Sequence, residues 1–441
     1  MPYSMPGEMR RGGRPVRFPL PDRPRLWGVA LSHYQVEGDD PCDWTDWEKA
    51  LKTRGEPCGD AVSSWEQYES DALLAKAAGA NAFRFSISWS RVEPRSGAYS
   101  DDVLGRYRRL IEHLVAIDLE PVVTLFHYTH PSWFHATTPW TSSASVERFA
   151  RYTRKVVEAL GNSVRMYVPL NEPLVFLLAG YLDGQIPPGI RDPVLFRTAF
   201  NNMLTAHAAA ASVVRELNPD AAVGVAHNMM AFAPDRWWNP LDRLLARAAH
   251  RCYNESILEA FATGRWSFVL PPLLRIKGRS DDLPGSLDFF GVNYYSRLHF
   301  RSPGRERGIG DFHYRDRSGH GLTDNGWEVI PEMLTPLLIG ASQAGFPLVV
   351  TENGIADGTD AMRGPFLTAH AREIEIVESR GVPIHGYFHW SLLDNYEWLD
   401  GYGPRFGLYE VDRSTMRRAA RDSVAIFRDL GRQFLARGTT R

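Results

Sequence analysis

Asn171-Glu172-Pro173 and Thr351-Glu352-Asn353-Gly354 are the two strings in this chain best placed to do chemistry. Each glutamate follows an apolar run, 166–170 and 347–350, and each precedes residues that open a loop. Glu352 lies 180 positions beyond Glu172, so only a tertiary fold can bring the two together. Two carboxyl groups across one cavity, one protonated and one ionised, are the equipment for breaking a glycosidic bond. His127 and His130 are spaced as a metal pair would be, but no third ligand follows them, so neither a metal nor another cofactor is expected.

The glutamates need a scaffold, and the apolar pattern supplies one. Eight short apolar runs, at 26–31, 82–87, 121–126, 166–170, 222–226, 287–292, 348–351 and 384–388, each end in polar or aromatic residues. Amphipathic segments lie between them, at 64–78, 102–117, 146–160, 195–217 and 366–379. In the third, Val146, Phe149, Val156 and Leu160 form one helical stripe. Gly79 stands where a helix C-terminus wants a residue free to turn left-handed. Near-continuous apolar strands alternating with helices predict a parallel sheet covered on both faces. Eight such units predict a closed (β/α)8 barrel. Gln35, Arg84, His127, Glu172, Asn228, Asn293, Glu352 and Trp390 fall at or just past the C-terminal ends of the eight runs. That end is where barrels of this kind build their sites.

Composition narrows the partners. The 441 residues are 44% hydrophobic and 23% charged, with a formal net charge of −2. No basic stripe marks a nucleic-acid binder, and no stretch reaches the roughly 20 apolar residues of a membrane span. Thirteen tryptophans suit sugar-stacking surfaces as well as core. Cys42, Cys58 and Cys252 make an odd count without metal-ligand spacing, which fits free thiols in a reducing cytosol. Residues 1–22, rich in Arg, Pro and Gly, read as a flexible arm before a barrel domain over 23–441. Nothing fixes the oligomeric state.

A longer series of strings resembles glycoside hydrolase family 1, the β-glucosidase family, from Trp27-Gly28 to about Asp412. They are Tyr34-Gln-Val-Glu-Gly38, Phe83-Arg-Phe-Ser-Ile-Ser-Trp-Ser-Arg91, Asn171-Glu-Pro173, Phe290-Gly-Val-Asn-Tyr-Tyr295, Gly326-Trp-Glu328, Thr351-Glu-Asn-Gly354, the run from Gly386 to Trp398, and Arg405-Phe-Gly-Leu408. A single tripeptide turns up by chance in roughly 5% of chains this long; the ordered series does not. The resemblance implies a retaining β-glycosidase, acting on β-D-glucosides and related β-D-glycosides through a covalent glycosyl-enzyme. Glu352 is then the nucleophile, with Arg84 as its counter-charge and Tyr295 as its hydrogen-bond donor. Glu172 is the acid/base. Gln35, His127, Asn171, Asn293, Glu397 and Trp398 would meet sugar hydroxyls. Trp390 would lie under the ring, Trp327 would wall the leaving-group site, and Phe406 would sit near the sugar's C6 side.

The chain departs from the family pattern at Tyr128, where Trp is commoner, and in His130-Pro-Ser-Trp133, Val168-Pro-Leu170, His389 and the loop 39–59. These changes bear on cleft shape and leaving group, not on the two glutamates. A thioglycosidase would lack Glu172, and a phospho-glycosidase would carry Ser and Lys in the loop 398–405, which has neither. Transglycosylation, a sugar-binding barrel without turnover and a metal-dependent barrel hydrolase are the alternatives.

Overall fold

The computed structural model describes residues 20, 23–50, 52–53, 55–270, 274–302 and 311–438. Eight parallel strands close into one barrel: β1 (Leu26–Ala30), β2 (Ala82–Ser86), β3 (Glu120–Phe126), β4 (Met166–Leu170), β5 (Ala222–Asn228), β6 (Phe289–Tyr294), β7 (Leu348–Asn353) and β8 (Ile384–Trp390). β8 returns beside β1, with Ala30 opposite Trp390. Each expected run is one of these strands. The starts differ by two residues or fewer, and β5 to β8 extend two residues past the expected ends because polar and aromatic residues continue the ladder there.

The strands bury both faces, which is why their sequences lack a polar alternation. Inside the barrel, Leu26, Ala82, Val122, Met166, Ala222, Phe289, Val349 and Phe388 pack against one another. Outside, Val29, Phe83, Phe85, Val123, Leu125, Val225, Val292 and Val350 meet the surrounding helices. The interior is filled by large rings set against bare backbone. A Cβ on Gly224 would come 2.3 Å from the Phe289 ring.

The expected helices form as Ser64–Ala77, Asp101–Ala116, Ala144–Leu160, Pro193–Leu217 and Arg363–Ser379. Phe149, Val156 and Leu160 are buried as the stripe requires. Asp192 caps the long fourth helix by accepting from Val194 N (2.7 Å) and Leu195 N (3.1 Å). Gly79 follows the first at φ 85°. The sequence reading missed a hairpin of Arg265–Leu270 with Leu274–Arg279, and a small sheet of Ala231–Pro234, Arg297–Arg301 and Asp311–His313. Both are insertions between barrel strands, where short alternating runs give a weak signal. Of the arm expected over residues 1–22, only Leu20 lies within the described residues, and it is buried against the barrel interior. No helix among the described residues is long and apolar enough to cross a membrane.

Candidate active site

The backbone at the end of β7 aims Glu352. Val350 pairs with Val292 and Glu352 with Asn293, so Thr351 is an extra residue and the strand bulges there. A bulge redirects the side chain that follows it. Gly354 lets the chain turn under β8, since a Cβ there would stand 1.7 Å from the Trp390 carbonyl oxygen. At the end of β4, Glu172 takes a left-handed conformation (φ 45°, ψ 52°) before the helix Pro173–Leu177.

The two carboxyl groups line one cavity of about 350 Å³. Glu352 is buried and accepts from Arg84 Nη1 (2.7 Å) on one oxygen and from the Tyr295 hydroxyl (2.7 Å) on the other. Arg84 reaches up from inside the barrel. It also donates to the Thr351 carbonyl (2.9 Å), Asn171 Oδ1 (2.7 Å) and Thr124 Oγ1 (3.2 Å). Among the described residues Glu172 meets only uncharged donors: Asn293 Nδ2 (2.8 Å) and Asn228 Nδ2 (3.2 Å) on Oε1, and the Tyr128 hydroxyl on Oε2.

Burial pushes the Glu352 carboxyl up to about 7; Arg84 pulls it down, and the Glu172 charge adds to the rise. Arg84 acts in the direction expected of a counter-charge, but burial outweighs it. A guanidinium at one edge does not replace the water removed from a fully enclosed carboxylate. Burial, with Arg84 nearby, pushes the His127 imidazole well below its usual range, so it is neutral. The Asn171 amide donates to His127 Nε2 (3.1 Å), which leaves the imidazole proton on Nδ1. That atom has no partner among the described residues.

The remaining sugar-site residues gather on the same walls. Gln35 stands on the turn of helix His33–Glu37 and donates to Asn395 Oδ1 (3.1 Å) and the Tyr396 carbonyl (2.7 Å), while its Oε1 has no protein partner. Trp390, at the end of β8, donates to Glu397 Oε1 (3.3 Å). Burial raises the Glu397 carboxyl well above its ordinary range. Trp398 stacks on Tyr34 (5.8 Å) and meets Trp44 edge-on (4.8 Å). Trp327 contacts Tyr295, Phe406 and Tyr314 on the other side. Of the site residues expected from sequence, only Arg84 and Asn293 do not line the cavity. Arg84 lies under Glu352. Asn293, expected as a sugar contact, forms a buried bridge: its amide nitrogen serves Asn171 and Glu172, and its Oδ1 accepts from Thr351 Oγ1 (2.6 Å).

Reading the sequence missed Tyr128, Tyr253, Trp44 and Tyr314 as cavity residues. Tyr128 had one visible signal, its place beside His127. Tyr253 had none, because it lies in an irregular helical stretch, Arg251–Glu255, and reaches the site through Asn228 Oδ1 (3.0 Å). His130 lies 3.3 Å from Asp43. Among the described residues, no group of three His, Cys, Asp or Glu is placed to hold a metal ion.

The chain is similar to known proteins along nearly its whole length. Residues 19–433 match the family model described as glycosyl hydrolase family 1. Beta-glucosidase A of Thermotoga maritima is 32% identical over 90% of this chain and 94% of its own length. The β-glycosidase structure from Pyrococcus horikoshii superposes with a TM-score of 0.85 at 33% identity, covering 96% of this chain and 98% of that one. The Thermotoga maritima β-glucosidase in complex with deoxynojirimycin gives a TM-score of 0.83 at 30% identity, over 92% of this chain and 97% of that one. A closed barrel, paired glutamates at the ends of β4 and β7, and similarity along nearly the whole chain lead to one assignment: the chain belongs to glycosyl hydrolase family 1.

Proposed function

We propose that the chain is a retaining β-glycosidase that removes β-D-glucosyl and related units from the non-reducing end of β-glycosides, short cello-oligosaccharides included. The reading is carried by one observation: two glutamates face one cavity, Glu352 against a cation and a phenol, Glu172 against neutral donors only.

The sugar ring lies on Trp390. Gln35 Oε1 accepts from one sugar hydroxyl and His127 Nδ1 donates to another, because these buried atoms have no protein partner. Asn171, Glu397 and Trp398 complete the polar wall. The leaving group lies against Trp327 and Tyr314, which line the same cavity. Phe406 closes the C6 side.

Ionised Glu352 attacks the anomeric carbon while Glu172 gives its proton to the departing oxygen. The bond to the leaving group breaks, and a glycosyl ester on Glu352 forms. Esterification removes the Glu352 charge, so Glu172 no longer faces a second carboxylate. Glu172 then takes a proton from water, the water oxygen attacks the anomeric carbon, and the sugar leaves with its configuration retained. Arg84 balances the Glu352 charge before the ester forms and after it is released. Tyr295 orients the attacking oxygen.

Residues 23–441 act as one catalytic unit on this reading. The buried free thiols of Cys42, Cys58 and Cys252 suit a reducing compartment such as the cytoplasm.

A 2-fluoro-glycoside slows release of the ester and traps it. Peptide mapping of the trapped enzyme is expected to place the label on Glu352. A label elsewhere, or initial release of the inverted anomer observed by proton NMR, overturns the reading.

A further inference from the structure

Tyr128 has no task in that mechanism, yet the fold goes to some length to place it. It follows β3 with a left-handed backbone (φ 70°), a conformation unfavourable for a non-glycine residue. Its ring meets Trp398 edge-on (5.1 Å) and stacks toward Phe176 (6.5 Å). The hydroxyl ends on Glu172 Oε2. Glu172 is also left-handed (φ 45°), so two unfavourable backbones converge on one hydrogen bond.

The valence of Glu172 makes that bond consequential. Oε1 accepts two amide N–H groups, from Asn293 and Asn228, which fills its two lone-pair directions. A proton on the carboxyl group must therefore sit on Oε2. Tyr128 is the side chain that shares this oxygen. Burial and the charges of Glu172 and Glu352 push the phenol well above its ordinary range, so it stays a hydroxyl donor.

We propose that Tyr128 is a positioning residue for the acid/base: its hydroxyl occupies one direction at Glu172 Oε2 and leaves the transferable proton aimed at the departing glycosidic oxygen. The proposal rests on Glu172 being the acid/base. Other titratable groups surround Glu172. Glu352 shares the cavity, Arg84 stands behind through Asn171, His127 is neutral, and the Tyr295 and Tyr253 phenols are held protonated by burial. None of these forms the bond to Oε2. Its hydroxyl donates more strongly to the ionised carboxylate than to the protonated acid.

Tyr128→Phe keeps the ring and removes the hydroxyl. The alkaline limb of the kcat/KM profile is expected to move up by about half to one pH unit. Loss of kcat/KM is expected to be about tenfold on alkyl or sugar leaving groups, and under about twofold on nitrophenyl glycosides. Placing 3-fluorotyrosine at 128 retains a hydroxyl and strengthens the donor, so the limb is expected to move down; this holds the test open if the Phe variant folds poorly. In a Glu172→Gln background, adding Tyr128→Phe should change nothing further. An unmoved limb, an equal loss on all leaving groups, or a further loss in the Glu172→Gln background overturns the proposal. If Glu172→Gln alone keeps its alkaline limb and its activity on poor leaving groups, the acid/base reading itself has failed.

Discussion

The ends of β4 and β7 hold the same side chain in opposite electrical settings. At β7 the carboxyl meets a guanidinium, fixed by four hydrogen bonds from inside the barrel, and a phenol. At β4 it meets two amides and a phenol, all uncharged. A group that must stay ionised and attack gains from a fixed cation. A group that must lose and regain a proton each cycle is better served by neutral donors, which do not commit it to one state. Burial cuts across this, raising Glu352 to about 7 in spite of Arg84.

Glu352→Ala tests the contrast most severely: kcat should fall on the order of 10⁵-fold or more on every substrate, as for loss of a nucleophile. Retention of a few percent of activity would end the assignment. Glu172→Ala should cost about 10²–10⁴-fold on substrates with poor leaving groups, and far less on nitrophenyl glycosides in the first step. A uniform loss would erase the difference between the two ends.

Arg84→Lys keeps a charge but loses the planar fork that grips Glu352, Asn171 and Thr351 together. About a hundredfold loss in kcat/KM is expected, with the acidic limb moving up as Glu352 becomes harder to ionise. For the unaltered enzyme that limb should lie near 7, where Glu352 titrates. Below it, kcat/KM should drop tenfold per pH unit, because the nucleophile becomes protonated. A limb near 4.5 would mean that Arg84 wins over burial.

The smallest effect is on stability. A carboxyl raised from 4.5 to about 7 binds its proton more tightly folded than unfolded. Its contribution therefore falls as pH rises from about 4.5 through about 7. Glu352→Gln removes that titration, so its Tm relative to the unaltered protein should be higher at pH 8 than at pH 5. A difference that stays constant with pH would show that Glu352 does not titrate in this range.

The barrel was legible because eight apolar runs in phase with helical stripes leave a parallel sheet few other ways to close. Phe149, Val156 and Leu160 carry their burial in their spacing alone. The small sheet 231–234, 297–301 and 311–313 was not legible, since Arg297 pairs with Ala231 66 positions back along the chain. Trp390, Glu397 and Trp398 were found through the string that carries them. Tyr253 was missed because its link to the site passes through another side chain, Asn228.

By itself the sequence determined which residue types are present, that Glu172 and Glu352 each close an apolar run, and that the runs make a barrel. Propensity and hydrophobic spacing are local properties, and they survive in a linear string. Only the tertiary structure decided that Asn293 turns to bridge Asn171 and Glu172, that Tyr128 sits on Oε2, and that burial lifts Glu352 despite Arg84. Those outcomes depend on lone pairs being filled from distant strands and on how completely water is excluded. Neither quantity exists until the chain has closed on itself.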